Sequence, residues 1–250
     1  MIDVHCHLEQ KDYDEDRDEF IESLKKELKA VVTCCAHPRD FELTLEIVRK
    51  HKNFVFATVG IHPTYVKEFS IEQVEEFCKK IAEYKDKIVG IGEVGLDYYW
   101  IKEEYWRKKQ EELFRIFIEL AQKLKKPLVI HSRDATQRCV EILEEYNCKH
   151  VLMHLFSERK CLERVNENGW YISIGPIIAR SKTHKKIARD FPLERILLET
   201  DSPWFGFGKR GTPLNIRIAA EKIAQAKKLS FEEVWKICGN NAIRFYNLRF

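Results

Sequence analysis

Met1-Ile2-Asp3-Val4-His5-Cys6-His7 reads as a short β-strand, apolar at Met1, Ile2 and Val4, that ends in a His-x-His pair. Strand side chains change face at every residue, so both imidazoles point the same way and can grip one ion. The stretch also decides between two α/β architectures. A doubly wound open sheet would carry a Gly-rich phosphate-binding turn after its first strand, and here the paired histidines occupy that place.

Working outward, apolar strand segments recur at Ala30 to Cys34, Phe54 to Gly60, Ile88 to Gly92, Leu128 to His131, Val151 to His154, Tyr171 to Ile174 and Ile196 to Glu199, eight in all with Ile2 to Cys6. Helical patterns lie between them: Phe20, Leu24, Leu28; Phe41, Leu45, Val48; Ile71, Val74, Phe77, Ile81; Leu113, Phe117, Leu120, Leu124; Val140, Leu143. Ser70 with Gln73, and Ser230 with Glu233, have capping-box spacing and mark two helix starts. Continuously apolar strands, each followed by a helix, are parallel strands buried on both faces. Eight such units predict a closed (β/α)8 TIM barrel, a single domain over residues 1–250.

At 250 residues and 44% hydrophobic content, the chain can bury a large core without disulfides. The net charge of +3 gives no global basic field, so any nucleic-acid contact must be local. No basic, apolar leader pattern and no membrane-spanning run is found, which predicts a cytoplasmic protein. The 8 cysteines are scattered, with no C-x-x-C pair, and read as reduced and buried.

A barrel places its chemistry at the C-terminal ends of its strands. Strand 1 ends in His5 and His7, strand 3 runs into His62, strand 4 into Glu93 and Asp97, strand 5 into His131, strand 6 into His154 and strand 8 into Asp201. Imidazole and carboxylate together suit Mg, Mn, Zn or Fe. Strands 1 and 8 are neighbours in a closed barrel, so His5, His7 and Asp201 can share one ion. His131 and His154, on adjacent strands, can share another, with Glu93 placed to bridge. Two ions held by a bridging carboxylate suit phosphodiester hydrolysis.

The motifs Asp3-Val4-His5-Cys6-His7-Leu8, Gly60-Ile61-His62-Pro63, Ile91-Gly92-Glu93-Val94-Gly95-Leu96-Asp97, His131-Ser132-Arg133-Asp134-Ala135, His154-Leu155-Phe156-Ser157 and Leu198-Glu199-Thr200-Asp201-Ser202-Pro203-Trp204 follow one another along the chain. Together they resemble the TatD-family deoxyribonucleases, within the metal-dependent amidohydrolase-like barrels. The resemblance implies a deoxyribonuclease, by expectation an exonuclease, that hydrolyses DNA with metal-activated water and two divalent ions; Mg, Mn and Zn are not distinguished. By matching position it makes His5, His7, Glu93, His131, His154 and Asp201 the metal ligands. Asp201 also fits the residue that orients or deprotonates the attacking water. Glu93 stands where many amidohydrolase relatives use a carboxylated lysine. The chain departs from the family at Thr64, where a further His is common, at Ser157-Glu158, where a Gly often follows, and at Pro176 after Gly175.

Tyr98, Tyr99 and Trp100 follow strand 4, and Trp204, Phe205 and Phe207 follow strand 8, so aromatic rings can line the mouth and stack unpaired bases. Arg133, two residues after a candidate ligand, is the foremost candidate to hold a phosphate. His62 is placed to contact substrate, to steady the leaving group or to support a ligand. The expected partner is DNA, single-stranded or a strand end, with no membrane and no obligate protein partner. Two other functions compete: a metallohydrolase cleaving an amide, ester, lactone or aminoacyl-tRNA on the same barrel, and a non-catalytic binding or scaffold protein. Six ionisable groups gathered at one mouth argue against the second.

Overall fold

The computed structural model describes all 250 residues. Strands β1 (Ile2–Cys6), β2 (Ala30–Cys35), β3 (Val55–Val59), β4 (Gly90–Asp97), β5 (Leu128–Arg133), β6 (Val151–Met153), β7 (Tyr171–Ile174) and β8 (Ile196–Leu198) pair in parallel in chain order. Helices α1 (Arg17–Leu24), α2 (Phe41–Lys50), α3 (Ile71–Glu83), α4 (Glu104–Leu124), α5 (Thr136–Glu145), α6 (Leu162–Glu167) and α7 (Lys182–Asp190) follow the first seven strands, and α8 (Ile216–Lys227) and α9 (Phe231–Tyr246) follow the last. The ring is joined just beyond β8, where the Asp201 amide donates to His5 O (3.0 Å) and the His7 amide donates to Ser202 O (2.7 Å). Closure therefore falls at the candidate metal ligands.

Two packed regions hold the barrel. A cluster of 60 buried residues fills the layer between strands and helices. A smaller one of 11, including Ile2, Val4, Ala30, Val32, Val129, Leu152 and Leu197, fills the barrel interior. The end of α9 closes that interior from below: Phe245, Tyr246 and Leu248 belong to the same cluster, and the Tyr246 hydroxyl donates to Val4 O (3.3 Å). The opposite end is left for polar side chains. Both capping boxes form, Ser70 with Gln73 and Ser230 with Glu233.

The structure moves some expected boundaries. Strand 4, expected over Ile88 to Gly92, runs instead from Gly90 to Asp97, so Glu93 lies within the strand. Helix α2 buries Phe41, Thr44 and Ile47, while Leu45 and Val48 are only partly covered. Thr44 is tolerated on that face because its hydroxyl donates to Asp40 O (2.8 Å), which satisfies its polar atom. Leu28 is buried but lies beyond the end of α1.

Candidate metal centre

Simple alternation carries most of the candidate residues into the mouth. Val129 faces the interior on β5, so His131 and Arg133 face the same way; likewise Leu152 leads to His154, and Leu197 to Glu199 and Asp201. On β1 and β4 alternation would fail. Ile2 and Val4 point inward, which would turn His5 and His7 outward, but the β1–β2 register shifts between Asp3 and Cys6. The β4–β5 register shifts likewise between Ile91 and Val94 and brings Glu93 to the inner face. A β-bulge of this kind re-aims the side chains that follow it. Gly95 lets β4 lie close to β5: its φ is +137° and a Cβ there would fall 2.2 Å from His131 O.

Glu93 stands at the centre of the site and faces both sides. Its Oε2 is 3.2 Å from His5 Nε2 and 3.9 Å from His7 Nε2. Its Oε1 is 2.8 Å from His131 Nδ1 and 3.5 Å from both His154 Nε2 and His62 Nε2. Asp201 adds Oδ1 at 3.2 Å from His7 Nε2 and 3.7 Å from His5 Nε2. The His5 and His7 Nε2 atoms are only 3.2 Å apart, and the His5 and His154 rings stack at 3.9 Å. Lone pairs and carboxylates converging at such distances require positive charge between them, from protons or from a cation. The donor set of imidazole and carboxylate fits a divalent cation.

Outside this cluster, three further carboxylates grip the histidines from behind, and sequence reasoning had not singled them out as such. Glu9 faces His7 Nδ1 (3.0 Å), Asp97 faces His131 Nε2 (3.0 Å) and Glu199 faces His154 Nδ1 (2.6 Å). Such partners fix tautomer and ring angle. A signal existed, since each lies two or four residues from a candidate ligand on the same strand or its extension. The buried Cys34 thiol also reaches the His5, His7 and Glu93 group, and burial and then Glu93 hold it protonated.

The charges follow from this packing. Burial favours neutral His154, but Glu199 and Glu93 outweigh it and raise the group to about 10. His7 is raised well above its usual value, again against burial, by Glu9 and Asp201. Burial and then the charge of His154 lower His5, and burial with His131 pushes His62 down to about 3. Glu93 is held well below the usual carboxylate range because His154 and its other imidazole neighbours override its burial. His131 is raised too, against burial, by Asp97 and Glu93, so the histidines whose pKa rises are those that face carboxylates on both ring nitrogens.

The cluster opens into a cleft of about 760 Å³ lined by His7, His62, Glu93, Asp97, Trp100, His131, Arg133, His154, Asp201 and Trp204, among others. Tyr98 and Tyr99 are absent from its walls. The Tyr98 hydroxyl donates to Glu111 (3.0 Å) and its ring lies under Arg107 (4.5 Å), whereas the Tyr99 ring supports Arg133 (3.9 Å). Arg133 itself makes no ion pair within 4.0 Å. His62 turns Nδ1 toward the Thr64 hydroxyl (2.7 Å). A groove of about 860 Å³ lies at the other end of the barrel, but it holds no cluster of ligand-type side chains, and its Arg49 and Lys125 sit at helix C-termini, where the helix dipole favours cations.

Compared with known proteins, residues 2–247 match the family described as TatD related DNase. The chain belongs to that family. It is 34% identical to the human deoxyribonuclease TATDN3 over 259 residues, covering 98% of this chain and 94% of that protein. It is 33% identical to an uncharacterized metal-dependent hydrolase of Methanocaldococcus jannaschii, covering 99% and 97%. Among solved structures, the Escherichia coli TatD homolog YJJV superposes with a TM-score of 0.89 at 22% identity, covering 100% of this chain and 98% of the other. A TatD family hydrolase of Entamoeba histolytica gives 0.90 at 22% identity with the same coverage. These likenesses share the eight-stranded parallel barrel.

Proposed function

We propose that this TatD-family chain is a divalent-metal-dependent deoxyribonuclease that hydrolyses phosphodiester bonds at the end of a DNA strand. One observation carries the proposal: the two oxygens of Glu93 face two separate groups of imidazoles, His5 and His7 on one side and His131 and His154 on the other. That is the arrangement a pair of ions a few ångströms apart requires. His5, His7 and Asp201 would hold one ion and His131 and His154 the other, with Glu93 shared. Bound there, divalent ions supply Lewis-acid activation of water and neutralise charge on the phosphoryl oxygens.

The remaining work belongs to side chains. Asp201 lines the cleft, and a hydrogen bond from His7 overrides burial to lower its pKa. It is ionised and accepts the proton of the attacking water. Arg133, unpaired and fixed on the Tyr99 ring, takes a non-bridging phosphate oxygen. His62 lies beside Glu93 at the cleft wall, where it steadies the leaving oxygen. His5 and Glu93 are nearly sealed from solvent, at 1% and 3% exposure, while His131 and Asp201 are partly exposed at the cleft wall, so a duplex lying across the mouth does not bring its phosphates down to the buried pair. An unpaired end does, which supports a single strand or strand end as substrate. No helix is long and apolar enough to cross a membrane, and all 8 cysteines are free and buried, which supports a cytoplasmic setting.

The test is to strip the protein of metal and incubate it with end-labelled single- and double-stranded DNA, restoring Mg, Mn or Zn in turn. Cleavage should return with a divalent ion and release mononucleotides from one end of single-stranded DNA. No cleavage with any ion, together with hydrolysis of a small ester or amide, would favour a different metallohydrolase activity on the same barrel.

A further inference from the structure

We propose that Trp100 and Trp204 form a base-stacking clamp across the mouth, each taking one unpaired base so that the phosphate between them lies over Glu93. The clamp rests on the assignment of DNA as substrate. Trp100 follows β4 and Trp204 follows β8, strands on opposite sides of the eight-membered ring, and both line the cleft. They remain 62% and 49% exposed, unusual for indoles flanking a buried polar site. Of the neighbouring aromatics, Tyr98 is bonded to Glu111 and lies off the cleft wall, as does Tyr99, which carries Arg133 at 3.9 Å; the same guanidinium lies 5.6 Å over the Trp100 ring.

Each tryptophan is tied to the histidine cluster. The Trp204 ring meets His7 edge-on at 4.8 Å. The Trp100 amide donates to Asp97 Oδ1 (2.7 Å), and Asp97 Oδ2 faces His131 Nε2 (3.0 Å). The Trp100 ring is also braced edge-on by Tyr99 at 4.8 Å. Two flat platforms, with the unpaired Arg133 guanidinium at the cleft wall beside Trp100, match the alternation of base and phosphate along a single strand. In a duplex both faces of an internal base are covered by its neighbours, so the clamp admits only unpaired or frayed ends.

The experiment compares an end-labelled oligothymidylate with the same strand carrying abasic sites at its last two positions, both in excess divalent metal. Wild-type protein should prefer the intact strand by about tenfold or more in kcat/KM, chiefly through KM. In the Trp100→Ala/Trp204→Ala double variant the preference should fall to near one, and Trp100→Phe/Trp204→Phe should restore most of it. A double alanine variant that keeps the wild-type preference, or loses both substrates equally, would overturn the clamp. So would a wild-type protein that cleaves both strands equally well. Wild-type protein that cleaves neither strand would instead defeat the DNA assignment, and the clamp with it.

Discussion

Replacing Glu199 by Gln should weaken divalent-metal binding without unfolding the barrel. The Glu199 carboxylate is fully buried and divides its oxygens: Oε1 accepts from the Leu155 amide (2.7 Å) and Oε2 accepts from His154 Nδ1 (2.6 Å). A glutamine can keep the first bond with its carbonyl oxygen, which turns its NH2 toward Nδ1. Nδ1 must then be the acceptor, so the ring proton moves to Nε2, the atom that faces Glu93 at 3.5 Å. A protonated Nε2 has no lone pair to give a cation. Losing a charge-assisted hydrogen bond costs about 1.5–3 kcal/mol, which corresponds to roughly 10- to 150-fold in affinity. Competition with a chromophoric chelator for Mn or Zn reads the loss directly, and a thermal melt of the metal-free variant checks that the fold survives. Affinity within about twofold of wild type in a folded variant would refute the proposed link from Glu199 to the ligand tautomer.

Three other outcomes follow from the same geometry. Asp201→Asn should keep the fold and much of the metal affinity yet lose about a hundredfold or more in turnover, measured on end-labelled DNA; full activity would remove Asp201 from its role as proton acceptor. Because Glu199 and Glu93, against burial, raise His154 to about 10 in the metal-free protein, an entering cation must displace that proton. Affinity should therefore rise from about pH 6 to pH 9 with net proton release, seen by calorimetry in buffers of different ionisation enthalpy; a flat profile would contradict it. Gly95→Ala should cost about 3 kcal/mol or more, since the new Cβ would meet His131 O at 2.2 Å with φ at +137°, and a urea midpoint close to wild type would show that β4 and β5 can separate at no cost.

Much of this architecture is legible in the chain because strand periodicity and strand-end chemistry point the same way. Val129, His131 and Arg133 share one face of β5 by simple alternation, and nothing beyond the period is needed to place them. The inward aim of His5 and Glu93 is different. It depends on register shifts that leave no local pattern, because a bulge is a relation between two strands. The three carboxylates behind the histidines show a similar limit: Glu9, Asp97 and Glu199 look like ordinary strand-end acids until the fold sets them against imidazole nitrogens. The aromatic residues at the mouth were legible as a group and ambiguous one by one. Only the fold separates them, leaving Tyr98 and Tyr99 off the cleft wall and placing Trp100 and Trp204 on it.

The most direct test of the proposed two-ion centre is an anomalous diffraction measurement on crystals of the protein soaked in Mn. Two peaks are expected, one between Glu93 and the His5, His7 and Asp201 side chains and one between Glu93 and the His131 and His154 side chains. A single peak that leaves one oxygen of Glu93 without a metal, or peaks remote from Glu93, would contradict it.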